Sequence, residues 1–213
     1  MKKTMFIIIA VDQKNGIGKN GVMPWHFKKE LNHFAKITKT TDSPEKENMV
    51  IMGRKTWESL PEAFRPLPER KNVILTKNKD LKIEGAEVFN SMGEAIKSAD
   101  EKTEKIFIIG GGEVFRQGLE LEDLDGIYLT RVNKAYDCDT FFPEVPSRFQ
   151  NKEKLGVALQ TFDFGAMVTG MLNQEARSGE FFNIAINEKD AEVGISEIPL
   201  MDGNVYQFEL IEF

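Results

Sequence analysis

Apolar runs rich in β-branched residues recur along the chain, and segments with helical spacing separate the earlier ones. Several of these runs are hydrophobic throughout, which is typical of strands covered on both faces of a sheet. The predicted strands span residues 6–11, 49–52, 73–76, 87–89, 106–109, 127–131, 181–186 and 205–213. The predicted helices span residues 27–38, 55–60, 93–100 and 113–119.

This alternation of strand and helix predicts an α/β fold with a mostly parallel sheet and crossover helices. No convincing helix separates the last two predicted strands, so we expect them to form an antiparallel edge. No linker rich in proline, glycine or serine divides the chain, which indicates a single domain over residues 1–213. Ligands of such sheets bind at the carboxyl ends of the strands, so the residues there are the first candidates for a site.

Composition and charge narrow the classes of function. The net charge of −6 argues against a nucleic-acid binder or a membrane-surface binder. The single cysteine excludes an internal disulfide and favours a reducing, cytoplasmic compartment. Both histidines, His26 and His33, are expected at the surface, and no metal site is indicated. The apolar run at residues 5–11 is too short for a membrane span, and no small-residue cleavage site follows it.

Charge is unevenly distributed, and three predicted strands end in groups suited to phosphate. Residues 54–79 carry seven basic and three acidic side chains, a local net charge of +4 that favours a polyanionic small ligand. Glycines let a backbone approach a ligand closely, and cations with hydroxyls at a helix start or a strand end grip phosphate. The groups are Gly110, Gly111 and Gly112, then Gly53, Arg54, Lys55 and Thr56, then Thr76 and Lys77. A phosphate-rich cofactor is the interpretation that unites them.

An acid occupies the apolar face of the first predicted helix. At about 100° per residue, Glu30 falls within the same arc as Phe27 and Phe34. A carboxylate in that position is costly unless it is paired or protonated. Two interpretations stay open: a structural acid bonded to a loop amide or an arginine, or an acid of raised pKa that pairs with a polar ligand.

Taken together, the motifs resemble those of the dihydrofolate reductase family. The matching segments are FIIIAVDQKNGIGKNGVMPWHFKKELNHF, MVIMGRKTWESLPEAFRPLPER, NVILTK, IFIIGGGEVF, YLTRV, DCDTFFPE and the closing YQFELIEF, in that order. The resemblance implies a three-layer sandwich in which helices flank a central, mostly parallel eight-stranded sheet. It also implies NADPH-dependent reduction of 7,8-dihydrofolate to 5,6,7,8-tetrahydrofolate. In that reaction a hydride passes from nicotinamide C4 to pterin C6 while N5 gains a proton.

Carried over residue by residue, the resemblance implies a pterin site around one acid. Glu30 would bond the 2-amino group and N3 of the pterin, Thr130 would support Glu30 by a hydrogen bond, and Trp25 would hold a water near the pterin. Arg70 would clamp the α-carboxylate of the glutamate tail, a task that suits a planar guanidinium. The implied lining of the substrate pocket is Ile8, Ala10, Leu31, Phe34, Leu60, Phe64, Leu67, Ile109 and Phe115.

The resemblance also implies which residues hold NADPH. Thr76 and Lys77 would face its 2′-phosphate, and Gly110 and Gly111 would form a close turn beside the nicotinamide through a cis peptide. Met23, in the loop before the pterin site, would touch the cofactor and take part in catalysis. The full implied cofactor set is Ala10, Ile17, Gly18, Gly21, Met23, Gly53, Arg54, Lys55, Thr56, Thr76, Lys77, Ser91, Ile109, Gly110, Gly111, Gly112, Glu113, Val114 and Phe115.

Several features depart from the family pattern. Asn90 and Ser91 stand where many members have an arginine that grips the 2′-phosphate. Phe115 stands where a tyrosine is common, and Phe64 stands where a polar residue is common. The segment at about 150–200 is longer than in compact members. It is interpreted either as an elongated hairpin with a loop on a monomer, or as a self-association surface of a homodimer.

Two rival functions remain to be weighed. One is the NADPH-dependent reductase of riboflavin synthesis, which shares the fold and acts on a ribosylamino-pyrimidine. That enzyme would need neither Glu30 nor Arg70. The other is a nucleotide-binding sensor or scaffold without catalysis, which the intact Glu30, Trp25 and Thr130 argue against.

Overall fold

A computed structural model of the chain describes residues 2–78 and 80–149, together with the backbone of two strands at 151–159 and 205–212. The strands of these residues are β1 (Thr4–Val11), β2 (Gly16–Gly18), β3 (Glu47–Gly53), β4 (Arg70–Leu75), β5 (Glu87–Phe89), β6 (Thr103–Gly110), β7 (Gly126–Val132), β8 (Thr140–Phe141), β9 (Asn151–Leu159) and β10 (Val205–Glu212). The helices are α1 (Lys28–Lys39), α2 (Arg54–Ser59), α3 (Met92–Lys97) and α4 (Gly112–Leu119), with a 3₁₀ turn at Glu62–Phe64.

The central sheet has eight strands in the order β5-β4-β3-β6-β1-β7-β10-β9. The first six are parallel to one another, and β10 runs antiparallel to both β7 and β9. The predicted mostly parallel sheet with an antiparallel carboxyl-terminal edge is therefore confirmed. All four predicted helices are present as well, with ends displaced by at most three residues.

Three strands were not predicted, and one predicted strand cannot be compared with the structure. β9 begins with the charged run NKEK, which conceals its strand character, and β2 and β8 are too short to show a period. β2 and β8 pair antiparallel in a small separate sheet. The strand predicted at 181–186 lies outside the described residues.

Alternating side chains of β1 supply both faces of the sheet. Met5 and Ile7 pack into a cluster with side chains of α3 and α4, whereas Phe6 and Ile8 pack into a second cluster with side chains of α1 and α2. Successive residues of a strand point to opposite faces, so one continuous apolar run can serve two helical layers. The result is the predicted three-layer arrangement, and α1 lies on the same face as α2.

A buried asparagine ties the end of α1 to the sheet. The side-chain amide of Asn48, in β3, donates to the carbonyls of Thr38 at 3.1 Å and Thr40 at 2.9 Å. Its oxygen accepts the backbone N–H of Lys105, in β6, at 3.1 Å. Asn48 thus fixes the carboxyl end of the helix whose first turn carries Glu30.

The substitution Asn48→Ala should lower the free energy of unfolding by roughly 2–3 kcal/mol, because three hydrogen bonds are lost at a fully buried position. Chemical denaturation measures the change. A suitable control is Asn78→Ala, at an exposed turn position where the side chain accepts the Asp80 N–H at 3.1 Å, and the expected loss there is below about 1 kcal/mol. Equal losses in the two variants would contradict the anchoring role of Asn48.

Candidate functional site

Glu30 lies in the first turn of α1 with 8% of its surface exposed. Among the residues that the structure describes, no hydrogen bond or ion pair reaches its carboxylate. Burial alone therefore raises the pKa of Glu30 to about 7. Of the two interpretations of this acid, the one in which a loop amide or an arginine holds it finds no support in these contacts. A buried acid without a partner is a candidate for pairing with a ligand.

Trp25 and Thr130 are both buried near the carboxyl end of β1. The indole N–H of Trp25 has no acceptor among the described residues, which leaves a buried donor for a ligand or a water. Thr130, in β7, is the register partner of Ala10, in β1. A direct hydrogen bond from the Thr130 hydroxyl to Glu30, as the resemblance implies, is not among the contacts of the described residues.

Most of the expected substrate lining gathers on the face of the sheet that α1 and α2 cover. Ile8 and Leu67 are buried in that cluster, and Phe34, Leu60 and Ile109 pack against it. The small cluster that contains Ala10 also contains Trp25. Leu31 is half-buried on α1.

Two expected substrate residues lie apart from this lining. Phe115 is buried in the cluster on the opposite face, edge-on to Phe142 with ring centroids 5.3 Å apart. A Cβ added at Gly110 would come 3.6 Å from the Phe115 ring, so this ring lies against the glycine turn. Phe64 is 59% exposed in the 3₁₀ turn.

Arg70 is a buried cation, only 7% exposed, at the start of β4. Its Nε donates to the Pro68 carbonyl at 3.0 Å and its Nη1 to the Thr38 hydroxyl at 2.7 Å, and the guanidinium lies 5.8 Å from the Phe34 ring centroid. Burial lowers its pKa to about 10, while nearby Glu69 opposes that effect. No carboxylate forms an ion pair with it among the described residues, so the guanidinium can accept an anionic ligand.

The glycine turn after β6 has the geometry that the resemblance implies. The Gly110–Gly111 peptide is cis, as expected, and Gly110 has φ of +136°, where side chains are rarely tolerated. A Cβ added at Gly111 would come 3.1 Å from the hydroxyl of Thr56. Gly111 is the N-cap of α4, and no side chain of the described residues caps this helix, so its first-turn N–H groups can donate to a ligand.

The expected phosphate ligands lie at the same carboxyl edge of the sheet. Arg54, Lys55 and Lys77 are all exposed, and Arg54 is paired with Glu58 at 2.5 Å. Hydrogen bonds from Arg116 and Gln117 are the main causes that lower the pKa of Glu113 to about 2, and the charge of Lys77 contributes. The carboxylate of Glu113 is thus already bonded to side chains of its own helix, and Lys77 lies close to α4.

Ser91 caps the amino end of α3. Its hydroxyl accepts the N–H of Glu94 at 3.2 Å as the N-cap of α3, so the sequence correctly indicated a helix start here. Thr76 donates its N–H to the Phe89 carbonyl at 3.0 Å, which brings the ends of β4 and β5 together. Ser91 can therefore lie near a phosphate held at Thr76, with its hydroxyl oxygen engaged.

We use the term glycine loop for residues 12–24. Ile17 and Gly18 lie in β2, which pairs with β8, whereas Gly21 is exposed with φ of +82°. Met23 is partly exposed. Asp12, a fully buried carboxylate directly after β1, is a candidate that the sequence motifs did not indicate. The available signal was an acid at the end of a buried strand, immediately before the glycine loop turns.

His33 corrects one expectation from the sequence. It is buried on α1, one turn beyond Glu30, and not at the surface. Burial and, secondarily, the charge of Lys36 lower its pKa to about 4, so the side chain is neutral at physiological pH. The buried face of α1 is thus wider than the positions of its aliphatic and aromatic residues indicated.

Two further features concern metals and membranes. Within the described ranges, no group of three or more histidine, cysteine, aspartate and glutamate side chains is arranged to hold a metal ion. Each helix of those ranges is also too short or too polar to cross a bilayer, and the longest, α1, has 12 residues.

The chain matches known proteins over all of the residues that form this site. Residues 4–161 match the sequence model of the family described as dihydrofolate reductase. The dihydrofolate reductase of Aedes albopictus is 40% identical over 155 residues, which cover 70% of this chain and 83% of that protein. That of Heliothis virescens is 41% identical over 145 residues, or 65% of this chain and 78% of that protein. The bifunctional dihydrofolate reductase-thymidylate synthase of Glycine max is 39% identical over 153 residues, which are 68% of this chain but 29% of that protein.

Proposed function

The chain belongs to the dihydrofolate reductase family, whose enzymes reduce dihydrofolate to tetrahydrofolate, and we propose that NADPH supplies the hydride, from nicotinamide C4 to pterin C6. The product serves one-carbon metabolism. The observation that carries the proposal is Glu30: a buried carboxyl group of raised pKa, with no partner among the described residues. A pterin ring presents a 2-amino group and N3 to such an acid, so the ligand completes its hydrogen bonding.

In the proposed mechanism, Glu30 binds and orients the pterin and raises the basicity of N5. It does not hand the proton directly to N5, which instead receives it from a water admitted beside the glycine loop. The buried indole N–H of Trp25, which has no acceptor among the described residues, is a suitable donor to such a water. Thr130 would support Glu30 through bound ligand or water, since no direct bond joins the two side chains.

The apolar wall on the α1 face would exclude other water from the reacting atoms. Ile8 and Leu67 supply its buried surface, and the half-buried Leu31, Phe34, Leu60 and Ile109 extend it. Holding the two reactants in line within such a wall accounts for most of what the protein must contribute, because the cofactor carries the difficult chemistry.

Arg70 is proposed to bind the α-carboxylate of the glutamate tail. Its guanidinium is already oriented by the Thr38 hydroxyl and the Pro68 carbonyl, and it has no ion-pair partner among the described residues. A preorganised planar guanidinium loses little conformational entropy when it donates two parallel hydrogen bonds to a carboxylate.

The described residues fit NADPH. Added side chains at Gly110 and Gly111 would crowd Thr56, so the bare backbone lets a ring approach, and the uncapped start of α4 presents N–H groups. Lys55 and Lys77 leave positive charge at the same edge for phosphates. The proposed cofactor contacts are those expected from the sequence, except that the Phe115 ring lies against Gly110 and that the Glu113 side chain is engaged elsewhere.

The purified chain is expected to oxidise NADPH when dihydrofolate is added, with NADH used more slowly. Loss of the near-ultraviolet absorbance of the reduced nicotinamide measures the reaction. Turnover only with a ribosylamino-pyrimidine would favour the reductase of riboflavin synthesis. Cofactor binding without turnover at any pH would favour a sensor or scaffold.

We also propose a single domain over residues 1–213, placed in a reducing cytoplasmic compartment and binding no nucleic acid or membrane. The inclusion of β10 beside β7 in the central sheet supports one domain. The antiparallel pairing of β9 with β10 supports the hairpin interpretation. Residues 160–204, which would complete or refute the homodimer interpretation, lie outside the described residues.

A further inference from the structure

We propose that Asp12 is a positioning residue. It fixes the position of the glycine loop, on the cofactor side, relative to Trp25, on the substrate side. The inference rests on the proposed function for its kinetic consequences. Its structural part, that Asp12 positions Trp25, can be tested without measuring turnover.

The carboxylate of Asp12 joins two segments that are far apart in the sequence. It is 1% exposed, and its Oδ1 accepts the backbone N–H groups of Lys14 at 2.8 Å and Gly16 at 2.7 Å. Its Oδ2 accepts the backbone N–H of Tyr136 at 2.9 Å and the thiol of Cys138 at 3.7 Å. The backbone donors hold its pKa below the ordinary value although burial acts in the opposite direction.

Further contacts hold the glycine loop against residues 133–142, which we call the facing segment. The N–H of Phe142 donates to the Asn15 carbonyl at 2.8 Å. The N–H of Asp139 donates to the Gly18 carbonyl at 3.0 Å, and its Oδ2 accepts the N–H of Asn20 at 2.7 Å. The Asn20–Asp139 contact is exposed, whereas Asp12 is buried, so the contacts between the two segments run from the interior to the surface.

No space is left for adjustment where the two segments meet. A Cβ added at Gly16 would come 2.5 Å from both Cβ and Sγ of Cys138 and 3.0 Å from Cγ of Asp12. The glycine loop therefore approaches the facing segment as closely as backbone can, and the carboxylate fills the remaining polar gap.

The facing segment in turn contacts the substrate side through Tyr136. Its ring lies 5.1 Å from the Trp25 ring, centroid to centroid, with an interplanar angle of 56°. It also meets Phe27, the residue at the N-cap of α1, edge-on at 6.4 Å. The Oδ2 bond to the Tyr136 N–H thus fixes the residue whose ring packs on Trp25, while Oδ1 fixes the loop.

Only a carboxylate can satisfy all of these donors. The amide of asparagine has one acceptor oxygen, and its NH₂ group would face another N–H. In Asp12→Asn, the amide oxygen can keep either the loop donors or the Tyr136 donor, but not both sets. The variant keeps the size of the side chain and removes the connection between the two sides.

A matched control is Asp100→Asn. Asp100 also accepts backbone N–H groups, from Lys102 and Thr103 at 3.0 Å each, in the turn that precedes β6. That turn lies at the amino end of the parallel strands, opposite to the edge that carries the site. The same chemical change is therefore made at a turn without a route to Trp25.

The experiment compares wild type, Asp12→Asn and Asp100→Asn by steady-state kinetics, thermal unfolding and tryptophan emission. The emission is measured in a Trp57→Phe background, because the chain has two tryptophans and Trp25 then remains alone. We expect Asp12→Asn to lower kcat by roughly 10- to 100-fold and to shift the Trp25 emission, and Asp100→Asn to change neither. A second variant, Tyr136→Leu, keeps the carboxylate and removes the ring, and should shift the Trp25 emission in the same way.

Two outcomes would overturn the proposal. If Asp12→Asn loses thermal stability but keeps kcat and Trp25 emission, Asp12 has a structural task only. If kcat falls while the Trp25 emission stays that of the wild type, the connection through Tyr136 is wrong. A wild type without dihydrofolate turnover would refute the proposed function instead, and the emission data would still decide the control of Trp25 by Asp12.

Discussion

Glu30→Gln is expected to lower kcat/KM by roughly 100-fold at neutral pH and by much less at acidic pH. The amide cannot carry the negative charge that raises the basicity of N5, so only substrate that is already protonated would react. A pH profile of kcat/KM for wild type and variant measures the difference. An equal loss at neutral and acidic pH would contradict the role given to Glu30.

The same substitution should stabilise the free protein above neutral pH. The folded state keeps a proton on Glu30 up to a pKa of about 7, whereas the ordinary value is 4.5. Between these values the folded state binds more protons than the unfolded state, so the stability of the wild type falls as pH rises. Glu30→Gln escapes this loss and should gain roughly 1–3 kcal/mol at pH 8, with little gain near pH 4.

An exposed glutamate provides the control for both measurements. Glu101→Gln changes an exposed side chain in the turn before β6, remote from the site. It should alter neither the pH profile nor the stability by a measurable amount. If Glu101→Gln reproduced the gain in stability at pH 8, the gain would reflect net charge and not the burial of Glu30.

Arg70→Met should raise the KM for dihydrofolate by roughly 10- to 100-fold and leave kcat nearly unchanged, because a charge-assisted bidentate pair is lost far from the reacting atoms. A dihydropterin substrate that lacks the glutamate tail separates this effect from general damage. With that substrate, Arg70→Met and wild type should have the same KM. A rise in KM with both substrates would mean that Arg70 shapes the pocket and does not bind the tail.

The neighbouring cation in β4 offers a matched control. Lys71→Met also removes a partly buried positive charge, one that donates to the Ser98 carbonyl at 2.8 Å and pairs with Glu87 at 3.1 Å. Adjacent residues of a strand point to opposite faces, so Lys71 faces away from the α1 side. Its substitution should leave the KM for dihydrofolate unchanged, since only the local charge is altered.

The pattern of apolar residues was sufficient to predict the mostly parallel sheet and the helices. A strand covered on both faces leaves a continuous apolar run in the sequence, and β1, β3 and β6 each contain such a run. The same locality explains what was missed. β9 starts with charged residues, and the two short strands beside the glycine loop have no period to detect.

The candidate site residues show the same difference between local and tertiary features. The sequence alone determined that Glu30 shares the apolar face of α1 and that glycines and cations follow three strands, because both depend on neighbours a few residues away. The tertiary structure decided that Glu30 has no partner among the described residues, that Arg70 is bonded to Thr38, and that His33 is buried. It also joined Asp12 to Tyr136 across the fold. Hydrogen bonds and burial of this kind depend on which distant segments the chain topology brings together, and no local period of the sequence records that.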